Sequence, residues 1–363
     1  MGLPASLTFH ARHRLGAAGR HDPAEKAGQW RWWAWVCASL IWGLFFALPA
    51  QAETLRIATY NAELTRDGPG LLLRDIVRGE DAQVAAVVQV IKQADADVLL
   101  LTGVDFDYNL VALTALNSVL GANAYPRLFA LPPNSGMATG LDLDGNGRRG
   151  DARDAMGYGR FAGAEGMAIL SRVPLGDVTD LSTLLWRDLP NHIAPDLPPD
   201  IAAIQRLSTT GHWIVPLPDT GLTLLAWSAT PPVFDGPEDR NGRRNHDEAA
   251  LWLRLLDGDL QVPAPTGPYV AMGTANLDPV DGDGRNDALL ALLARTQDVA
   301  TGDTADFTAR NGPGNLRVDY VLPSLDLAVH ASGIIWPPPE DPFAAVVTAA
   351  SRHRLVWVDV TLP

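Results

Sequence analysis

The chain has 363 residues and a formal net charge of −14, with 47% hydrophobic and 19% charged residues. That composition fits a globular protein with a large core, as one large domain or two medium ones. The single cysteine, Cys37, excludes an intrachain disulfide and any cysteine-based zinc site.

Up to residue 52 the charge is +3, from Arg12, Arg14, Arg20, Lys26 and Arg31 against Asp22 and Glu25, so the remainder carries −17. A body that acidic repels phosphate backbones, and strong nucleic-acid binding is not expected without bound cations. Residues 32–47, WWAWVCASLIWGLFFA, are apolar without a break and lead into Ala50-Gln51-Ala52. A basic stretch, an apolar run and Ala-x-Ala have the layout of a secretory signal peptide cut after Ala52. The expectation is a secreted or periplasmic chain starting at Glu53, with no stable membrane span. The rival reading is a membrane anchor, for which the run is short.

The mature region opens with a short strand, Leu55–Tyr60, running into Asn61. Residues 63–79 read as a Gly/Pro loop. Helical spacing of apolar residues predicts a helix over 81–94, started by Asp81. Asp97-Val98-Leu99-Leu100-Leu101 reads as a strand covered on both faces. A helix follows around 108–120, then a Gly-rich charged loop over 134–165. Further strands are predicted at Met167–Ser171, Gly211–Pro216, Gly221–Trp227 and 269–272, and near 317–322, 325–330 and 354–361. Helices are predicted at 247–257 and 286–295, and 186–205 reads as irregular and Pro-rich. No linker separates two cores, so residues 53–363 are read as one layered α/β domain.

Three stretches carry the chemistry: 269–284 (YVAMGTANLDPVDGDG), 316–323 (LRVDYVLP) and 351–357 (SRHRLVW). A strand ending Gly-x-x-Asn, then Val-Asp-Tyr-Val, then Ser-x-His-Arg resembles the endonuclease/exonuclease/phosphatase superfamily of DNase I-like metal-dependent phosphoesterases. GMAILSR at 166–172 and TPPVFDGPEDRNG at 230–242 fit the same frame. The resemblance covers nearly all of 53–363 and implies a four-layer α-β-β-α sandwich. It also implies phosphoester hydrolysis with Mg²⁺ or another divalent cation, which neutralises phosphate charge while a base activates water.

The retained family positions are Asn61, Asn276, His353 and Asp319. Four others are substituted. Gly103 stands where the second strand should end in Glu, and Ser228 where a central loop carries His. Thr274 replaces the Asp of Gly-Asp-x-Asn, and Arg352 replaces the Asp of the terminal Asp-His pair. His353 thereby loses the carboxylate next to it in sequence, and with it the expected orienting group. A Thr hydroxyl is far too weakly basic to act as a general base near neutral pH. The expectation is an exported family member with a degenerate site, acting by binding a phosphorylated ligand or a protein partner. The alternative is an active hydrolase whose metal site is rebuilt from Glu63 and Asp105, with Asp107 stepping to the same side as Asp105.

Asp142, Asp144 and Asn146, with Gly147 after them, match the start of a calcium loop with oxygens at alternate positions. Arg153 stands where the closing Glu is expected, with Asp151 and Asp154 nearby.

Overall fold

The computed structural model describes residues 54–309 and 312–362. The signal-peptide reading of residues 1–52 lies outside the described residues. Among these, no helix is long and apolar enough to cross a membrane.

Two sheets form the centre. The first runs in the order β12 (Val329–Ile334), β13 (Val356–Thr361), β1 (Thr54–Leu64), β2 (Val98–Val104), β4 (Gly166–Ser171), β3 (Arg127–Phe129). The second runs β11 (Asp319–Pro323), β8 (Tyr269–Thr274), β7 (Leu222–Ser228), β6 (Gly211–Leu217), β5 (Thr179–Asp180). Side chains alternate along each strand, so each sheet buries two faces. Ile57, Leu100 and Ile169 of the first sheet meet Trp213, Leu224 and Met272 of the second in a shared inner core. The outer face of the first sheet, with Ala58, Leu99 and Leu101, packs under α1 (Leu71–Arg78), α2 (Ala82–Ala94), α3 (Val111–Val119) and α7 (Phe343–Ala350). The outer face of the second, with Leu225, Trp227 and Ala271, packs under α5 (Arg240–Leu256) and α6 (Asp287–Leu293). This is the expected four-layer sandwich. A short helix, α4 (Pro199–Ala202), and a hairpin of β9 (Ala305–Phe307) and β10 (Gly314–Leu316) complete the α-helices and strands of the described residues.

Strand direction decides where the chemistry gathers. β1 pairs parallel with β2, and β7 parallel with β8. Their C-terminal ends therefore lie on one edge. β13, β4 and β11 run antiparallel to their neighbours and begin at that same edge. Residues far apart in sequence meet there.

Several boundaries differ from the sequence reading. The 63–79 loop contains α1, whose Leu72 and Ile76 are buried one turn apart. Gly68 and Gly70 masked that short apolar face. α5 begins at Arg240, seven residues before the predicted start. Its first two turns are polar by sequence, yet Arg244, Asn245, Asp247 and Glu248 are all buried and bonded to loops. α7 was missed because its run, FAAVVTAA, has no polar face.

His212 illustrates this polar layer. It is fully buried between β6 and α5, with Nε2 donating to the Glu248 carbonyl at 3.0 Å and Nδ1 facing Ser208 Oγ at 2.6 Å. Burial pushes its pKa down to about 3 from the usual 6.5. Below 6.5 the unfolded chain takes up a proton that the folded one refuses, so stability must fall as pH drops from 6.5 toward 3. The loss is about 1.4 kcal/mol for each pH unit. Denaturant melts at pH 7.5 and 5 should show a shallower acid loss in His212→Gln than in wild type; equal losses would refute this assignment.

Candidate functional site

The shared edge is floored by a hydrogen-bonded chain that crosses from one sheet to the other. Thr274, at the end of β8, donates its hydroxyl to Asp319 Oδ1 at 2.7 Å. Its oxygen lies 2.8 Å from Thr102 Oγ1 on β2, which is therefore the donor of that pair. Asp319 Oδ2 lies 2.7 Å from His353 Nδ1. Thr102, Thr274 and Asp319 are fully buried and His353 nearly so. His353 Nε2 emerges from this chain, 3.5 Å from Asn61 Nδ2. The Glu63 backbone N–H donates to Asn61 Oδ1 at 3.2 Å, which fixes the amide with its nitrogen toward the imidazole.

This corrects one sequence expectation. His353 has lost the carboxylate beside it in sequence and keeps an orienting one. Asp319, 34 residues earlier, holds Nδ1 and sets the ring. Phe307 packs edge-on against the same ring, with centroids 5.4 Å apart.

Arg352 turns away from the imidazole and onto Glu63. Its guanidinium Nε lies 2.8 Å from Glu63 Oε1, and its backbone N–H donates to Oε2 at 2.7 Å. Ser351 Oγ lies 3.1 Å from Glu63 Oε2 and gives its proton to the Asn61 carbonyl at 2.8 Å. Burial tends to raise the Glu63 carboxyl, but the bonds from Arg352 and the nearby His353 outweigh it and hold the group below the usual range. The Arg352 guanidinium also lies over the Phe307 ring, 5.3 Å from its centroid.

The loop is itself clamped. Arg354, buried, donates through one nitrogen to the carbonyls of Ser351, Arg352 and His353 at 2.7, 3.0 and 3.2 Å.

Gly103 adopts φ +64°, in the left-handed region. A Cβ there would overlap Asn61 Oδ1 and lie 3.2 Å from the Glu63 nitrogen. The Asn61 amide occupies the space a side chain at 103 would need. Ser228 sits opposite Thr274 in the β7–β8 register and is buried. Asn276, with φ +53°, donates its side-chain amide to the Ala229 carbonyl at 2.7 Å. Asn245 of α5 donates at 2.7 Å to both Thr230 and Ala275, tying together the two loops that flank Asn276.

Asp105 and Asp107 point to different tasks. Asp105 accepts from the Thr65 hydroxyl and from the Arg66 backbone N–H at 3.0 Å. Asp107 caps α3, accepting from the Val111 and Ala112 N–H groups at 2.5 and 2.7 Å. Glu165, unremarkable in the sequence, is drawn into the same region. Burial raises the Asp105 carboxyl; at Glu165 the surrounding protein, then the charges of Asp105 and Glu63, raise it too, although that residue reaches solvent.

Among the described residues, one group of carboxylates has the spacing of a cation site. Asp142, Asp144 and Asp154 each offer an oxygen within 4.8 Å of the others. The sequence reading placed Asn146 with the two aspartates. Its amide nitrogen bridges Asp144 and Asp151 at 3.1 and 2.9 Å, and its Oδ1 accepts from the Arg148 N–H at 2.8 Å. Buried Asp154 stands one residue past the position expected for the closing Glu.

A profile of the endonuclease/exonuclease/phosphatase family matches residues 58–353, most of the chain. The chain belongs to the endonuclease/exonuclease/phosphatase family. A solved family structure from Beutenbergia cavernae DSM 12333 superposes with a TM-score of 0.52 at 18% identity, over 85% of this chain and 72% of that one. A family protein from Leptotrichia buccalis C-1013-b gives 0.49 at 14% identity, over 85% of this chain and all of the other. No curated protein matches.

Endonuclease/exonuclease/phosphatase proteins are typically dependent on divalent metal. The edge residues of this member do not fit such an ion. Gly103 has no donor atom. Arg352 brings a cation onto Glu63, and the Thr274 proton is committed to Asp319. Both oxygens of Glu63 and both of Asp105 already accept bonds, and neither residue belongs to the carboxylate group above.

The Gly103 geometry makes a direct prediction. Gly121 has the same left-handed backbone (φ +63°) with nothing within 4 Å of an added Cβ. Gly121→Ala should cost about 1 kcal/mol from backbone strain alone. Gly103→Ala should cost at least about 1 kcal/mol more, because Asn61 must also move. Comparable unfolding midpoints for the two variants would show that Asn61 is not locked by Gly103.

Proposed function

We propose that this is an exported, catalytically silent family member whose strand-end edge captures the phosphoryl group of a ligand without a metal ion. The observation that carries this reading is the pairing of Arg352 with Glu63 beside a Thr274 whose proton is spent on Asp319. Phosphoryl transfer depends chiefly on placed charge and a base for water. At this edge the base is a hydroxyl, and the mobile cation is replaced by a fixed guanidinium. What remains suits anion binding. The Arg352 guanidinium is largely exposed, and beside it the half-buried Asn61 amide nitrogen lies 3.5 Å from the buried His353 Nε2. Export is supported by the basic, apolar and Ala-x-Ala order of residues 1–52.

The exported protein should show no Mg²⁺-dependent turnover of bis-p-nitrophenyl phosphate or p-nitrophenyl phosphate above background. Loss of a general base alone costs about 10²–10⁴-fold. Inorganic phosphate titrated in EDTA should bind, and Arg352→Ala should weaken it by about tenfold or more. Thr274→Asp alone should restore no turnover, because it sets a second carboxylate against Asp319. Robust Mg²⁺-dependent hydrolysis abolished by Asn276→Ala would overturn this reading in favour of a rebuilt catalytic site.

We further propose that the Asp142–Asp144–Asp154 group holds Ca²⁺ as a structural ion. Its support is the alternate-position oxygens followed by Gly147 at φ +80°, together with the spacing of the three carboxylates. An ion that binds only the folded state stabilises it by about 2.7 kcal/mol at a hundredfold excess over Kd. Thermal melts in calcium and in EDTA should differ by several degrees for wild type and coincide for Asp144→Asn. Coincident wild-type melts would remove the idea.

A further inference from the structure

Two loops at the site edge, 229–239 after β7 and 275–286 after β8, each hold an apolar side chain in water. Phe234 is 80% exposed and Val280 is 83% exposed. A single exposed apolar residue is ordinary. These two are held out by built structure. Phe234 sits at φ +73°, a left-handed conformation that costs a bulky residue of this kind. Asn241 of α5 pins its neighbours, donating to the Val233 carbonyl at 2.7 Å and to Asp235 Oδ2 at 2.5 Å. On the other loop, Asp278 is buried and accepts from the Val280, Asp281 and Arg317 N–H groups at 2.8, 3.1 and 2.8 Å. Asn286 closes that turn on the Pro279 carbonyl at 2.8 Å.

The loops support one another. Gly284 is packed so tightly on Pro232 that an added Cβ would lie 2.9 Å from the proline Cβ. Arg285 reaches Asp239 at 2.7 Å. Around the two apolar tips stand Asp235, Glu238, Asp281 and Asp283, all exposed. The nearby cations are otherwise engaged: Arg285 with Asp239, and Arg243 with the carbonyls of Glu238 and Ile193.

We propose that this rim is a docking surface for a polybasic peptide segment of a partner protein. Charge complementarity selects the occupant. Four exposed carboxylates attract lysine and arginine and repel nucleic acid and anionic membrane. Phe234 offers an aromatic face to a guanidinium, and Val280 offers an apolar contact to its aliphatic stem. The rigid loops spare the complex the entropy of ordering this surface. This inference stands apart from phosphate capture, since it uses neither Arg352 nor His353.

The test titrates fluorescein-labelled nona-arginine into the exported protein and reads anisotropy. Phe234→Gly should weaken binding roughly two- to fivefold, the range of one exposed cation–aromatic contact. The same variant should melt no lower than wild type, because glycine accepts the left-handed backbone without strain. Asp281→Asn with Asp283→Asn should weaken binding further. Asp177→Asn with Asp219→Asn removes the same charge from loops at the opposite strand ends and should leave affinity unchanged. Equal losses in the two double variants would mean diffuse attraction to an acidic body and would overturn the proposal. So would wild-type affinity in Phe234→Gly, or no saturable binding at low salt.

Discussion

The hydrogen-bonded chain from Thr102 through Thr274 and Asp319 to His353 is the interaction on which the rest of the edge depends. It crosses between the two sheets at a depth where no water reaches. Buried hydroxyls and carboxylates must find partners there, so the chain fixes how the strand ends face each other. It also decides the chemistry. Thr274 gives its proton to Asp319, and Asp319 in turn fixes the imidazole. The family frame is kept, with a buried hydroxyl at 274 bonded to the carboxylate at 319.

Charge at the edge follows from one exchange. A cation at 352 finds a carboxylate at 63, and the terminal loop closes over β1 through that pair and through the Ser351 hydroxyl, which donates to the Asn61 carbonyl at 2.8 Å. Arg354 holds the loop from beneath. Asp105 is raised by burial, and Glu165, which reaches solvent, by the protein around it and the charges of Asp105 and Glu63, whereas Glu63 is lowered by its partner. Carboxylates close together thus have opposite tendencies, because only one of them is bonded to a guanidinium.

Helix α5 organises the other side. Arg244, fully buried and pushed down to about 10 by that burial, donates to the carbonyls of Leu207, Met156, Arg206 and Ser208. Arg240 reaches the Leu143 carbonyl at 3.0 Å. Glu248 accepts from the Thr209 and Thr230 N–H groups, each at 2.6 Å. Long loops with little regular structure thereby keep their backbone groups satisfied, which a Gly-rich 134–165 segment cannot do by itself.

The layered fold and most strands were legible in the sequence, because apolar periodicity is local and each buried strand declares itself: Val98–Leu101 could be little else. The identities at 103, 274 and 352 were legible too, since Gly, Thr and Arg need no coordinates. The pairings between them were not. Asp319 with His353, Glu63 with Arg352 and Asn61 against Gly103 join residues 34, 289 and 42 positions apart. Nor could the sequence show that Asp105 and Asp107 part company, or that Glu165 joins them, because strand direction and turn geometry settle which way a carboxylate points. Identity is written along the chain, but partnership is decided by the sheet register that brings seven strand ends to one edge.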